Sequence, residues 1–349
     1  MTRKKKLLPK DFEDLLKQGD LAALIAVFDT CEIDARGGYS KKTALAFDLC
    51  PDDLSRWLVA HGADLAAVDT YGDTPLHERA RSRRGRIDVL LELGADPHLV
   101  SKRGETPLHV AAHSCNTRNA QALLTAGARV DAPGPQGQTP LELALRLCTN
   151  ITIEHAVPFS EALLAAGAQR TPRLPGLVQE IGKRFEFSRA AFNRDSVDAV
   201  SAALDRLYAL FDVTPAPRRA MHDGRSPIHA KAATWQTQHQ ELWELLVPPK
   251  GAAATAQGEA IRIAGRIAHE LDGNGGGNWD ADFKRMADAF LALVSQGHAL
   301  PPEQLAETAA LVAQLKRKDG EPARLAQLAV EWVRLNPTPI ALPEPAYSR

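Results

Sequence analysis

Short apolar clusters with helical spacing, separated by polar or glycine-containing breaks, fill the first half of the chain. Steps of three and four residues predict amphipathic helices, because they place the apolar side chains on one face. Between residues 11 and 31 two such clusters meet at a Gly19-Asp20 break, which predicts a pair of short helices. The apolar positions of this pair are Phe12, Leu15, Leu16, Leu21, Leu24, Ile25 and Phe28.

The helix pairs recur with a nearly constant period. One string appears four times: GETPLHVAA at 104–112, GDTPLHERA at 72–80, GQTPLELAL at 137–145 and, in altered form, KKTALAFDL at 41–49. Its threonines, Thr43, Thr74, Thr106 and Thr139, are 31, 32 and 33 residues apart. Such a period predicts a stacked repeat array rather than a single closed core. A second marker is the glycine that closes each unit, at Gly62, Gly94, Gly127 and Gly167.

These units resemble ankyrin repeats, and the resemblance covers residues 11–172 in about five units. In that motif the Thr-Pro pair begins the first helix, because proline is tolerated at the first helical position and threonine caps free N–H groups. His77 and His109 match the structural histidine of the family, which implies hydrogen bonds between neighbouring turns rather than metal binding. The resemblance also implies binding of another protein through the turn tips and the concave helix face.

Some units depart from the motif. The second unit has Ala44 in place of the proline, and the last TPL turn is followed by Glu142 instead of histidine. The closing glycine of the last unit comes 40 residues after Gly127, and the extra residues lie roughly at 148–158. We expect them to enlarge the loop between the two helices of that unit, either at a binding face or through ordinary loop variation.

The second half shows helical apolar spacing without a convincing strand pattern. The predicted fold is therefore all-α, an ankyrin-repeat solenoid followed by an α-helical domain. The spacing predicts two helices within 178–210, broken near Asn193-Arg194, and helices over 258–271, 280–296, 302–317 and 322–335. The expected divisions are a basic tail (1–10), the array (11–172), a helical connector (173–219), the helical domain (220–336) and a proline-rich tail (337–349).

Two strings of the second half have an open interpretation. DGRSPIHAKA at 223–232 has the order of residues of the array motif, and it is either a divergent repeat or a chance match. The string from Gln257 to Asp280 faintly resembles a segment of an uncharacterised bacterial helical domain, and this resemblance implies no function.

Composition narrows the kinds of partner. The 349 residues carry a net charge of -1, from 42 lysines and arginines and 43 aspartates and glutamates. This balance holds in both halves and disfavours nucleic acid and anionic membranes as partners. Four cysteines without metal-ligand spacing, and no apolar run of membrane-spanning length, predict a cytoplasmic protein. The alanine- and arginine-rich composition with few aromatic residues suggests a bacterial source.

The candidate partner contacts are the residues that flank the repeated TPLH string and differ from unit to unit. We expect the turn residues to choose the partner protein, and these are Tyr71, Asp73, Lys102, Arg103, Glu105 and Gln136. A run of arginines also crowds the link between the helices of the third unit, at Arg79, Arg81, Arg83, Arg84 and Arg86. This run is either a solvated helix end or a contact for an acidic protein surface, since guanidinium groups pair with carboxylates.

The helix predicted at 258–271 carries a polar stripe, which is the best candidate site of the second half. The residues are Glu259, Arg262, Arg266, His269, Trp279 and Asp280. A salt-bridged surface is the alternative, because residues three and four apart on a helix can pair. The NGGGN loop at 274–278 could bind phosphate through its backbone amides or simply join two helices, and it lacks the P-loop lysine. The sequence predicts no cofactor and no metal.

Together these patterns predict a scaffold that binds a partner protein through the array. One concrete form is an inhibitor or immunity-type protein that blocks a toxin or effector, because the chain has a repeat array and lacks recognisable catalytic motifs. The alternative is an enzyme in which the repeats recruit substrate to a helical catalytic domain. The enzyme hypothesis requires one deep pocket that holds Glu259, Arg262, His269 and Asp280, with Trp279 as a wall.

Overall fold

The computed structural model describes residues 3–189, 192, 194–342 and 344–347. Within this part of the chain the structure has sixteen α-helices and one small three-stranded sheet, so the all-α prediction is confirmed. The chain forms two compact units. The first unit contains residues 1–185 and 193–216, and the second contains residues 186–192 and 217–349.

The first nine α-helices and one 3-10 turn form five helix pairs. In three successive units the first helix begins at a Thr-Pro pair, where the threonine side chain accepts a hydrogen bond from the third helical N–H. In the second unit, where Ala44 replaces the proline, the first helix is only a 3-10 turn over Ala44–Ala46. The helices are α1 Phe12–Gln18, α2 Leu21–Thr30, α3 Asp52–Ala60, α4 Pro75–Arg81, α5 Asp88–Glu92, α6 Pro107–His113, α7 Thr117–Thr125, α8 Pro140–Leu147 and α9 Ile153–Ala165.

A small sheet lies at the start of the chain, where the sequence predicts only a solvated basic tail. Strand β1 (Lys5–Leu7) pairs in parallel with β2 (Cys31–Gly37), which pairs antiparallel with β3 (Lys42–Thr43). The side chains of β1 are exposed. Backbone hydrogen bonds therefore fix this segment, and such bonds leave no hydrophobic pattern in so short a strand.

The extra residues of the last unit lengthen a helix, which corrects the expectation of an enlarged loop. Helix α9 begins at Ile153 and contains Pro158 in its interior. Proline there removes one backbone hydrogen bond and crowds the carbonyl of the preceding turn. Ile153, Ala156 and Phe159 are fully buried, so apolar burial favours a longer second helix over a loop.

The predicted connector folds with the array. Helices α10 (Leu174–Ser188) and α11 (Arg194–Phe211) follow α9, and Asn193, at the predicted break, lies outside the described residues. A Cβ atom at Gly182 would lie 1.8 Å from the hydroxyl oxygen of Tyr208, so only glycine permits this close approach of the two helices. Arg206 also donates to Glu161 of α9 at 2.6 Å.

The second unit is a helical bundle with its own core. Phe290 and Trp332 are fully buried there. Asp280 caps α14 by accepting hydrogen bonds from two backbone N–H groups. The helices are α12 Trp235–Leu246, α13 Ala256–Ala268, α14 Ala281–Val294, α15 Pro302–Leu315 and α16 Pro322–Leu335, with a π-helical turn over His269–Gly273. The predicted proline-rich tail returns to α13, where the Gln257 side-chain amide donates to the carbonyl oxygens of Asn336 and Thr338 at 2.9 and 2.7 Å.

The DGRSPIHAKA string does not form a repeat helix, which favours the chance match. The Ser226 hydroxyl donates to Asp223 at 2.6 Å instead of capping a helix. The next helix, α12, begins only at Trp235.

Among the described residues, none of the helices is long and apolar enough to cross a membrane.

Candidate functional site

His77 and His109 link neighbouring repeats as the resemblance implies. The Nε2 atom of His77 lies 3.0 Å from the backbone oxygen of Glu105, and that of His109 lies 3.2 Å from the backbone oxygen of Gln138. Because a carbonyl oxygen only accepts, Nε2 carries the proton and Nδ1 accepts from the threonine N–H. Burial lowers the pKa of both imidazoles, which favours this neutral form. Both side chains therefore serve the stack.

A regular set of side-chain pairs lies at the first helices of three successive repeats. In each, the residue before the Thr-Pro pair accepts a hydrogen bond from a basic residue eight positions later, at the end of the first helix or just before it. The distances are 2.6 Å for Asp73–Arg81, 2.6 Å for Glu105–His113 and 2.9 Å for Gln138–Arg146. We name this set the i+8 ladder.

The ladder has buried acceptors and exposed donors. The side chains of Asp73 and Glu105 are 0% and 7% exposed, whereas those of Arg81 and His113 are 33% and 32% exposed. The third rung repeats the arrangement, because Gln138 is buried and Arg146 is exposed. The His113 contact holds the pKa of the Glu105 carboxyl below its usual value, so this acceptor is a carboxylate at neutral pH. The outer layer of the ladder is therefore basic.

The next turn adds a further cation to the first rung. Arg103 donates to the same Asp73 oxygen at 2.9 Å, and its guanidinium lies 5.4 Å from the ring centre of Tyr71. Carboxylate oxygens of Asp69, Asp73 and Glu78 lie within 4.8 Å of one another, a spacing that could hold a metal ion. Arg81 already contacts two of these carboxylates, at 2.6 and 3.8 Å, and supplies a positive charge there.

The arginine run divides into buried and exposed members. Arg79 is 0% exposed and donates to the backbone oxygens of Leu45 and Arg86 and to the hydroxyl of Ser55. This corrects the expectation that Arg79 contacts a partner, because a side chain enclosed by neighbouring repeats does not reach the surface. Arg83, Arg84 and Arg86 are exposed.

The predicted turn residues divide in the same way. Asp73 and Glu105 are buried beneath the ladder donors, so the expectation that they touch a partner directly is corrected. Their role is to hold Arg81, Arg103 and His113 in place. The exposed turn residues are Tyr71, Lys102, Arg103 and Gln136.

In the second unit the predicted polar stripe separates into two places. Glu259 and Arg262 form a buried, bidentate ion pair, in which Nε and Nη2 of Arg262 donate to the two carboxylate oxygens at 2.8 and 2.6 Å. The hydroxyl of Tyr347 donates to Glu259 at 2.6 Å. Hydrogen bonds from Arg262 and Tyr347 outweigh the burial penalty and keep the pKa of Glu259 below its usual value. The pair is thus a structural element of the core, which corrects its assignment to an accessible site.

Arg266 and His269, by contrast, line a cavity of about 840 Å³ in the second unit. Glu259, Arg262 and Asp280 are not among its lining residues, so the structure does not bring the four residues of the enzyme hypothesis into one pocket. Trp279 stacks on Phe283 with ring centres 5.1 Å apart instead of forming a wall. The cavity is lined by side chains from α12, α13, the π-helical turn, the NGGGN loop, α14 and α16.

The NGGGN loop binds a carboxylate of its own chain. The backbone N–H of Asn278 and the side-chain amides of Asn274 and Asn278 all donate to Glu270, which is 4% exposed. Gly275 and Gly276 adopt positive φ angles of 58° and 68° in this turn. The anion-binding property suggested by the sequence is therefore used internally, which corrects the phosphate interpretation.

Sequence reasoning missed the aromatic wall of this cavity. Trp235, His239 and Trp243 line it from α12, and their spacing of four residues places them on one helix face. That spacing was visible in the sequence. The role of Glu270 was not, because the loop that surrounds it is defined only by its fold.

Residues 80–156 match the family model described as ankyrin repeats in three copies. This part of the chain, from the end of α4 into α9, therefore consists of ankyrin repeats, which are protein–protein interaction modules. A search of curated proteins found no match for the chain. The resemblance of the second half to an uncharacterised bacterial domain stays a prediction.

Proposed function

We propose that this protein is a binding scaffold whose repeat array holds an acidic, extended segment of a partner protein along the i+8 ladder. The observation that carries the proposal is the burial order of the ladder, in which acceptors lie beneath and donors point outward in three successive repeats. Exposed guanidinium groups pair with carboxylates, often through two parallel hydrogen bonds. An acidic partner would therefore meet a row of preformed donors.

The buried acceptors favour binding through preorganisation. A free surface arginine loses rotamer entropy when it is immobilised in a complex. Arg81 and Arg103 already share the Asp73 oxygen at 2.6 and 2.9 Å, so part of that entropy is lost on folding. Each donor remains partly accessible and keeps N–H groups for a second acceptor.

The spacing of the rungs suggests the conformation of the bound segment. Helices packed side by side have axes roughly 8–10 Å apart. A polyproline II segment rises about 3.1 Å per residue with three residues per turn, so every third side chain returns to the same face after about 9 Å. We therefore expect acidic residues at every third position of the partner segment.

Fluorescence anisotropy of the full chain tests this proposal with two peptides of equal composition. One has aspartate at every third position with proline between, and the other has the aspartates adjacent. We expect the spaced peptide to bind more tightly, and its affinity to fall as salt screens the charges. The double variant Arg103→Gln/Arg146→Gln should weaken binding about tenfold through loss of two charge-assisted contacts.

Arg56→Gln/Arg118→Gln is the matched control, because both are exposed arginines of the second helices of their repeats, α3 and α7, and pair with Glu92 and Asp88. Equal affinity for the two peptides, or an equal loss in the control variant, would contradict the proposal. If the partner is an enzyme or toxin, occupation of its acidic segment would inhibit it. The inhibitor or immunity hypothesis therefore corresponds to binding of the acidic segment of an enzyme or toxin along the i+8 ladder.

A further inference from the structure

The cavity of the second unit has an aromatic side built by one helix face. Trp235 and Trp243 of α12 line it, and Phe283 of α14 lines it as well. A Cβ atom at position 265 would lie 2.5 Å from the Trp243 ring, so Gly265 of α13 lets that indole lie against the neighbouring helix. Both tryptophans are only partly buried, which leaves ring surface accessible.

Another part of the lining carries hydrogen-bond acceptors. Asn274 and Asn278 direct their side-chain nitrogens to Glu270, at 3.0 Å and 3.3 Å for the Oε2 contacts. The acceptor oxygens of these two amides are therefore the atoms left for a ligand. The exposed carboxylate of Asp272 lies in the same lining. This side selects for donors.

The net charge of these ionic groups in the lining is negative, which also favours a cationic ligand. Glu270 and Asp272 contribute two negative charges, and Arg266 contributes one positive charge. Burial lowers the pKa of His239, so this imidazole favours its neutral form and does not repel a cation. The acidic side also lies on the π-helical turn His269–Gly273, and such turns are frequent at functional sites.

We propose that this cavity binds a small organic cation, with an ammonium or guanidinium group next to a flat apolar body. The cation would lie between the Asp272 carboxylate and the indole faces of Trp235 and Trp243, because aromatic faces attract cations and carboxylates pair with them. The apolar body would cover the exposed ring surface. This site is independent of the i+8 ladder and would remain if the ladder proposal failed.

Isothermal titration of the full chain with three probes of similar shape tests the inference. The probes are 2-phenylethylamine, which is a cation at pH 7, 2-phenylethanol, which is neutral, and 3-phenylpropionate, which is an anion. We expect the amine to bind at least about tenfold more tightly than the other two, from cation–π and carboxylate contacts combined. Absence of amine binding, or equal affinity for the three probes, would overturn the proposal.

Two variants locate the binding. Asp272→Asn removes the exposed carboxylate and should weaken amine binding about fivefold, and Trp235→Leu should weaken it by a similar factor. The control Glu303→Gln removes one exposed charge from α15, outside the lining, and should leave affinity unchanged. If Trp235→Leu unfolds the chain, Asp272→Asn alone decides. Unchanged affinity in Asp272→Asn would overturn the site.

Discussion

Two buried arginines, one in each unit, differ in the hydrogen-bond acceptors that compensate the burial of their charge. Arg79 is 0% exposed in the repeat unit and Arg262 is 2% exposed in the second unit. Arg79 donates to neutral acceptors, two backbone oxygens and one hydroxyl. Arg262 instead binds the Glu259 carboxylate through two hydrogen bonds.

The difference follows from what each architecture offers. Arg79 of α4 reaches the 3-10 turn of the preceding unit, where the carbonyl oxygen of Leu45 is available. In the interior of α13 the backbone is already hydrogen-bonded, so the buried Arg262 needs an acidic side chain. Arg262 finds Glu259 one turn earlier on α13, and the returning tail adds Tyr347.

The largest expected effect is in the second unit. Glu259→Gln leaves Arg262 buried without its counter-charge and should lower the free energy of unfolding by about 3–5 kcal/mol. Urea denaturation followed by tryptophan fluorescence measures this, because four of the five tryptophans lie in that unit, at positions 235, 243, 279 and 332. The double variant Glu259→Leu/Arg262→Met should recover most of the loss, and failure to do so would show that the pair is more than a compensated charge.

A smaller loss is expected in the repeat unit. Arg79→Met removes the donor of two buried acceptors and one partly buried acceptor and should cost about 2–4 kcal/mol. Circular dichroism of the full chain during urea denaturation measures it. The matched control is Arg84→Met, at an exposed position of the same run, which should change stability by less than about 0.5 kcal/mol. Equal effects of the two variants would remove the contrast between buried and exposed members of the run.

The smallest effect concerns a half-exposed pair of the ladder. His113 holds the pKa of Glu105 below 4.5, so this contact stabilises the fold above pH 4.5 and the stabilisation is lost as pH falls through the lower folded-state value. His113→Ala should therefore cost about 0.5–1 kcal/mol at pH 7. The difference from wild type should shrink on acidification below pH 4.5, as measured by urea midpoints in a pH series. A difference that grows there would contradict the assignment.

Local signals in the sequence predicted most of the helices. Thr-Pro pairs predicted the starts of α4, α6 and α8, because capping involves only residues within one turn. The same reasoning predicted Asp280 as the cap of α14. It could not predict the length of α9 or the non-helical Ser226-Pro227 pair. Next to that pair the backbone N–H of Ile228 donates to the distant carbonyl oxygen of Pro337 at 2.7 Å.

The candidate sites were less predictable than the helices. The ladder spacing of eight residues exists in the sequence, but its significance depends on Asp73 and Glu105 folding beneath the ends of α4 and α6. The polar stripe of α13 was visible, yet the sequence did not show that Glu259 and Arg262 are enclosed while Arg266 and His269 line a cavity. Helical periodicity gives the angle of a side chain and not the element that covers it.

The sequence alone determined the repeat period and the helical class, because these depend on capping and periodicity within short windows. The structural role of the TPLH histidines was implied by the resemblance to ankyrin repeats. Only the tertiary structure decided which charges are buried. Arg79 and Arg83 are four residues apart in one run, and one is enclosed while the other is exposed. Burial depends on groups distant in the chain that pack against a side chain, so only the tertiary packing of the helices determines it.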